Sequence, residues 1–294
     1  MKKAFLQLHA AIFLAGFTGI LGRLITLNEG LLVWYRMLFS AVGLFVLLTL
    51  SGKRTRWPDR GLLPLLAVGG VIALHWVFFY GSIKYANVSI GLVCFSAVGF
   101  FTALIDPLLT RSRVKPMELL LGLIVMLGIY LIFHFDNQYR TGIVLGVISS
   151  LFAALFTTLN RKLILRHGTD TVTLYEMTGG WLVLTLLLPF YLRQSAPEHI
   201  LPTLNDFLWL LFLSLVCTVL AFRLSLDALR KISPFTVNLS YNLEPVYGIL
   251  LAFLVYAENE YLGPGFYAGF ALILGTVLLQ TWRMWKRGEI TNSK

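Results

Sequence analysis

The feature that most constrains this chain is where its charges stand. They gather in short clusters, and the stretches between clusters are apolar runs of about 17–25 residues, a length that crosses an ~30 Å hydrocarbon layer at about 1.5 Å per residue. Ten runs are read: 4–22, 31–50, 62–83, 88–110, 117–135, 142–163, 171–192, 206–229, 234–256 and 262–282. The connections are mostly short, which leaves no room for a soluble domain. Composition agrees, with 57% hydrophobic and 13% charged residues where soluble domains carry about 25% charged. The expected fold class is an all-α integral membrane protein of ten transmembrane helices. The first run is long and has no small-x-small cleavage site before Arg23, so it is read as a retained helix and not a signal peptide. Cys94 and Cys217 each fall inside an apolar run and are expected to be buried and reduced. No metal site and no cofactor is expected.

The net charge is +10, and position decides its meaning. With a cytoplasmic amino terminus, eighteen of the 24 lysines and arginines fall inside, among them Lys53, Arg54, Arg56, Arg60, Arg111, Arg113, Lys115, Arg161 and Lys162. Only Arg23, Lys84, Arg140 and Arg193 fall outside, and Arg36 and Arg223 lie within helices. This positive-inside bias places both termini in the cytoplasm. It reads as topology and contact with anionic lipid, not as a nucleic-acid surface.

The two halves resemble each other. "LGRLI" (21–25) has a counterpart in "LNRKLI" (159–164), and "WYRM" (34–37) a fainter one in "LYEM" (174–177). At an offset of 147, "FYGSIKYANVS" (79–89) aligns with "LDALRKISPFT" (226–236), and "GLIVMLG" (122–128) with "GFALILG" (269–275). The division expected is 1–137 and 138–294, five helices each. An odd number inverts the second half, an arrangement that puts a transporter's substrate site between the repeats near the midplane.

These halves, a lysine after the third and eighth runs, "LEP" (243–245) in the ninth, and a glutamate in the turn that follows resemble the drug/metabolite transporter superfamily and within it the EamA-type exporters. The likeness spans residues 4–282. It implies a ten-helix basket with a cavity formed mainly by helices 1, 3, 4, 6, 8 and 9, with helices 5 and 10 peripheral. It also implies transport of small organic metabolites, often outward, across the cytoplasmic membrane, and no enzyme activity. One departure stands out. Many members carry a proline in helix 4 that matches the one in helix 9, whereas here Glu244 and Pro245 align with Ala97 and Val98, and the proline of the fourth run comes later, in "IDPLL" (105–109).

The ninth run is the most informative. On a helical wheel Phe235, Leu239, Leu243, Val246, Leu250 and Phe253 fall within an arc of about 80°. Asn238, Ser240, Tyr241, Asn242, Glu244, Pro245 and Gly248 occupy the rest, a side suited to a wet interior and not to lipid. Pro245 is expected to kink the helix and free the carbonyl of Tyr241, for function or as a structural bend. Glu244 is a candidate to bind a substrate amine, carry a proton or brace a neighbouring helix.

The third and eighth runs offer matched pairs at i, i+4 spacing. Trp76 and Tyr80 form an aromatic shelf with His75 adjoining, or pack between helices or in an interfacial belt, and His75 by itself reads as a hydrogen-bonded structural group. Arg223 and Asp227 offer opposed charges, or simply pair with each other. Together the shelf and the charges suit a zwitterionic or aromatic metabolite. Thr18 and Thr157 are in reach of a cavity, and Ser96 joins the candidates for substrate binding. Asp106 and Pro107 are candidates for gating or structure. Arg36, beside Trp34 and Tyr35, is read as an interfacial anchor. Asn87 and Ser233 are expected helix caps.

The leading reading is a secondary transporter for an amino-acid-like, aromatic or zwitterionic metabolite, working by alternating access as an exporter and as a monomer among membrane lipids. The rivals are an intramembrane lipid-modifying enzyme and a membrane sensor. Against the first, the chain has no HExxH, no aspartate-rich metal pair and no G-x-S-x-G elbow. Against the second, every lysine lies at a loop or helix end.

Overall fold

The structure, a computed structural model, describes residues 2–52, 61–135, 137–241 and 243–286. Every apolar run is helical. The helices are α1 (Lys2–Leu24), α2 (Glu29–Leu50), α3 (Leu62–Tyr85), α4 (Val88–Phe95), α5 (Val98–Thr110), α6 (Pro116–Phe135), α7 (Arg140–His167), α8 (Thr169–Ser195), α9 (Leu204–Ser214), α10 (Ala221–Leu229), α11 (Pro234–Tyr241), α12 (Glu244–Tyr256) and α13 (Pro264–Lys286). A π-helical turn, Leu215–Leu220, joins α9 to α10. Among the described residues there is no strand, and eight spans are long and apolar enough to cross a membrane, with α12 and α13 adding shorter apolar stretches.

Local chemistry sets the helix ends. Asn28 and Asn87 accept hydrogen bonds from Leu31 N and Ile90 N at the starts of α2 and α4, and Thr203 with Asp206 makes a capping box on α9. These caps satisfy amides that the helix leaves without a partner. Ser233 accepts from Thr236 N at the start of α11. The helices α6, α11 and α13 each open on proline, whose missing N–H costs nothing there.

Packing is by close approach of backbones. The helix α3 lies against α7 and α8, α1 against α10 and α12, and α6 against α13. A Cβ on Gly69 would stand 2.1 Å from the Glu176 carbonyl oxygen, and one on Gly269 2.3 Å from that of Gly128. Only glycine permits the α3–α8 and α6–α13 contacts at this distance. Both cysteines are free and buried.

Hydrogen bonds identify the two ends of the bundle. Arg161 donates to the Ile232 carbonyl at 2.6 Å and Lys162 to that of Leu109 at 3.3 Å. These contacts mark the near end, where α1 begins. Lys84 donates to the Ile25 carbonyl at 3.1 Å, and Arg23 meets Glu258 at 2.6 Å. These mark the far end.

The ninth run departs from expectation. It is two helices, α11 and α12, and not one kinked helix, and Pro245 is the second residue of α12. A proline in a first turn lacks an N–H that has no helical partner anyway, so it starts a helix here instead of bending one. The fourth run breaks likewise, into α4 and α5, with no proline at the break. Pro107 lies inside α5, which continues to Thr110.

Candidate functional site

The helices surround an internal cavity of about 820 Å³ of space not filled by protein atoms, its open mouth included. Its wall draws on α1, α2, α3, α4, α7, the π turn, α10, α11 and α12. At 1.5 Å per residue, lining residues lie within about 26 Å of the near end of their helices. The wall reaches down to Leu229, the last residue of α10. Toward the far end the interior is filled, with Ile25, Leu27, Ile83 and Val88 all buried.

Two opposite charges occupy the wall. Arg36 of α2 is 3% exposed. Its Nε donates to Thr218 Oγ1 and its Nη1 to Tyr80 Oη, both at 2.7 Å. Its guanidinium lies over the Trp76 ring, 3.7 Å from the centroid. A guanidinium has five N–H donors, so this cradle fixes the plane and leaves donors for the cavity. The π turn helps to make the cradle: Thr218 Oγ1 donates to the Leu213 carbonyl, five residues back, and Ser40 Oγ to that of Ser214. An inserted residue of this kind frees carbonyls and turns side chains inward.

Glu244, at the start of α12, is 4% exposed. It feels the charge of Arg36, yet among the described residues no hydrogen bond or ion pair reaches its carboxylate. A buried carboxylate without a partner is costly, unless something in the cavity supplies one. Asn238 and Tyr241 stand beside it on the wall. Asn238 donates to Thr102 Oγ1 at 2.8 Å. The walls between are aromatic, with Trp76, Phe79, Phe95, Phe156 and Phe222.

The structure brings some of the expected residues together and not others. Glu244, Tyr241, Asn238, Trp76, His75, Thr18 and Thr157 line the cavity. His75 Nδ1 lies 2.8 Å from Ser149 Oγ, and that hydroxyl also reaches the His75 carbonyl at 2.9 Å, so the ring is fixed by α7. Tyr80 stands behind Arg36 and not on the wall. Ser96 is buried at the α4–α5 break, away from the wall, and its hydroxyl has no partner among the described residues. Asn242 lies outside the described residues.

Two readings need correction. Arg36 is not an interfacial anchor but a cavity residue, because Thr218 and Tyr80 hold its head group inside. Arg223 and Asp227 do not contribute charges to the cavity. The wall of α10 is Phe222, Ser225, Leu226 and Leu229, and the two charged residues turn to α8. There Arg223 pairs with Asp170 at 2.6 Å, and Asp227 accepts from Thr169 Oγ1. Asp106 and Pro107 stand where the sequence put them, at the near end of the fourth run and off the wall, with Asp106 in the field of Arg161, Lys115 and Lys162.

The comparisons agree with this architecture. A solved crystal structure superposes with a TM-score of 0.69 at 19% identity, covering 95% of this chain and 98% of that one, a likeness of fold alone. An uncharacterized transporter of Archaeoglobus fulgidus is 26% identical over 204 residues, 67% of this chain and 68% of that protein. The uncharacterized transporter YxxF of Bacillus subtilis is 25% identical over 230 residues, 75% and 71%. The pseudopaline exporter CntI of Pseudomonas aeruginosa is 28% identical over 162 residues, 54% and 56%. The chain spans about half the length of that exporter and of another Archaeoglobus transporter (54%). The EamA-like transporter family matches twice, over residues 2–134 and 140–282. With two family matches that together cover most of its length and many spans apolar enough for a bilayer, this multi-pass membrane protein belongs to the EamA-like transporter family.

Proposed function

We propose that this protein is a secondary carrier for a small zwitterionic metabolite of amino-acid-like size, working by alternating access in the inner membrane. The observation that carries the reading is one cavity bearing a cradled cation, Arg36, and a carboxylate without a partner among the described residues, Glu244. A substrate carboxylate meets Arg36 in the fork geometry a guanidinium favours. Its ammonium group meets Glu244, and an apolar or aromatic side chain lies along Trp76, Phe156 and Phe222.

The basic clusters favour a cytoplasmic near end and cytoplasmic termini. In that orientation the cavity faces the cytoplasm and the far end is shut, the state in which an exporter loads. That one relative is an exporter of pseudopaline supports the outward direction. Two inverted five-helix halves, divided near residue 137, supply the rocking bodies, and one chain suffices.

Counterflow in proteoliposomes with labelled amino acids, nucleosides and organic cations tests the reading. The expected result is exchange of an amino-acid-like compound, abolished by Glu244→Gln with expression and thermal melting near those of the parent. Arg36→Lys keeps the charge and loses the fork, and is expected to weaken uptake roughly tenfold, about 1.4 kcal/mol. No flux for any class, alongside a turnover activity of the purified protein, overturns it. A Glu244→Gln chain that misfolds, and is rescued at a second site, makes Glu244 a brace.

A further inference from the structure

Outside the cavity one acid stands apart. Glu176 of α8 is 0% exposed, in the apolar body of the protein. Its one hydrogen-bond partner among the described residues is Asn160 of α7, whose Nδ2 lies 3.2 Å from Glu176 Oε2. Glu176 Oε1 and Asn160 Oδ1 are both buried without a partner among the described residues. Two acceptor oxygens in one buried pair are short of a donor, and a proton on the carboxyl supplies it. Asn160 also lines the cavity, so the acid is one side chain away from water.

Among the described residues no cation neutralises Glu176 in another way. From the elements packed on α8, Arg36 of α2 is held by Tyr80 and Thr218, and on α3 Lys84 bonds the Ile25 carbonyl and His75 faces Ser149. On α7 Arg161 bonds the Ile232 carbonyl, and on α10 Arg223 pairs with Asp170. The acids of these elements are engaged as well, Glu29 with Tyr191 and Asp227 with Thr169.

Position adds an independent argument. "WYRM" aligns with "LYEM", which makes Glu176 the repeat counterpart of Arg36. Each lies seven residues into its helix, at opposite depths if the halves are inverted. The place that holds the cavity's cation in one half holds a buried acid in the other.

We propose that Glu176 is a proton-binding site of this carrier, exchanging its proton with water of the cavity past the Asn160 side chain. The assignment rests on the carrier reading for its purpose, since a reversible proton site beside a substrate cavity is a means of coupling. It does not rest on that reading for its test. Only a proton is bound and released, and no bond other than O–H forms or breaks.

The experiment is infrared difference spectroscopy of the full chain in lipid vesicles, stepped between acid and alkaline buffer with no substrate added. The expected result is a carbonyl band of a protonated carboxylic acid that disappears in alkali, is lost in Glu176→Gln and persists in Glu244→Gln. Asn160→Leu is expected to slow its response to the step several-fold. A band that never responds to buffer marks a locked structural acid and overturns the proposal, as does a response unchanged by Asn160→Leu. If Glu176→Gln does not fold, the parent decides alone: no titrating band in glutamate-labelled protein overturns it. Failure of counterflow with a titrating Glu176 would remove the carrier and leave the proton site.

Discussion

The two halves build the same broken helix by different means. The helices α4 and α11 have eight residues each, and α5 and α12 thirteen. In the second half the break precedes Pro245. In the first, Ser150 of α7 does the equivalent work, its hydroxyl lying 3.0 and 3.1 Å from the carbonyls of Cys94 and Phe95. A carbonyl released from a helix must find a donor in a membrane interior, and a side chain from the neighbouring helix provides one. What repeats is the backbone path, not the residue that enforces it.

The turns that follow these helices differ in charge. After α12, Ala257 is left-handed (φ 51) and Glu258 comes next; after α5, the left-handed residue is Arg111 (φ 56). Glu258 is 1% exposed. It accepts from Val88 N, Ser89 N and Ser89 Oγ at the start of α4 and pairs with Arg23, which lies over the Tyr256 ring. A carboxylate on a helix amino terminus is favoured by both its hydrogen bonds and the helix dipole. The far end is therefore latched across both halves. At the matching place in the first half, one residue past the left-handed Arg111, stands Ser112, which carries no charge.

The largest expected effect comes from breaking the latch. Glu258→Ala leaves two buried amides and Arg23 without their acceptor, and is expected to cost about 3 kcal/mol, read as a lower melting temperature in detergent. In Glu258→Gln, a cysteine introduced by Ile25→Cys is expected to become reactive to an impermeant maleimide from the far side. An unreactive Ile25→Cys in that background would mean that Glu258 does not hold this end shut. The next effect separates the two breaks. Ser150→Ala is expected to cost about 1–2 kcal/mol by stranding the Phe95 carbonyl, that of Cys94 keeping Ala97 N, and Pro245→Ala less than about 1 kcal/mol because the site is a first turn. Equal losses in thermal melts would undo the distinction. The smallest effect sharpens the charge comparison. Ser112→Glu places an acid where the second half has Glu258, and is expected to stabilise the near end by about 0.3–1 kcal/mol at low salt, fading as salt is added.

Much of this was legible in the residues. The ninth-run wheel set Asn238, Tyr241 and Glu244 on one side, and all three line the cavity. The i, i+4 pair Trp76 and Tyr80 shares a face, but that face meets Arg36, so only Trp76 reaches the wall. Arg36 itself was misread from its neighbours Trp34 and Tyr35, because the groups that hold it inside are on other helices, with Thr218 182 positions away. Arg223 and Asp227 failed for a related reason. Spacing shows that two residues share a helix face and says nothing of which neighbour the face meets. The π turn had no sequence signal that we recognise, and Glu176 appeared only as a member of a faint repeat.

The sequence by itself determined the membrane setting, the helical segments and the pairing of two halves, because these follow from one rule applied locally: hydrocarbon excludes charge and obliges the backbone to bond within its own segment. Only the tertiary structure decided which charges face the cavity, which acid is sealed off beside Asn160, and which end of the bundle is latched. Those outcomes depend on donors and acceptors brought together from distant helices, and a chain read in one dimension contains the groups but not their meeting.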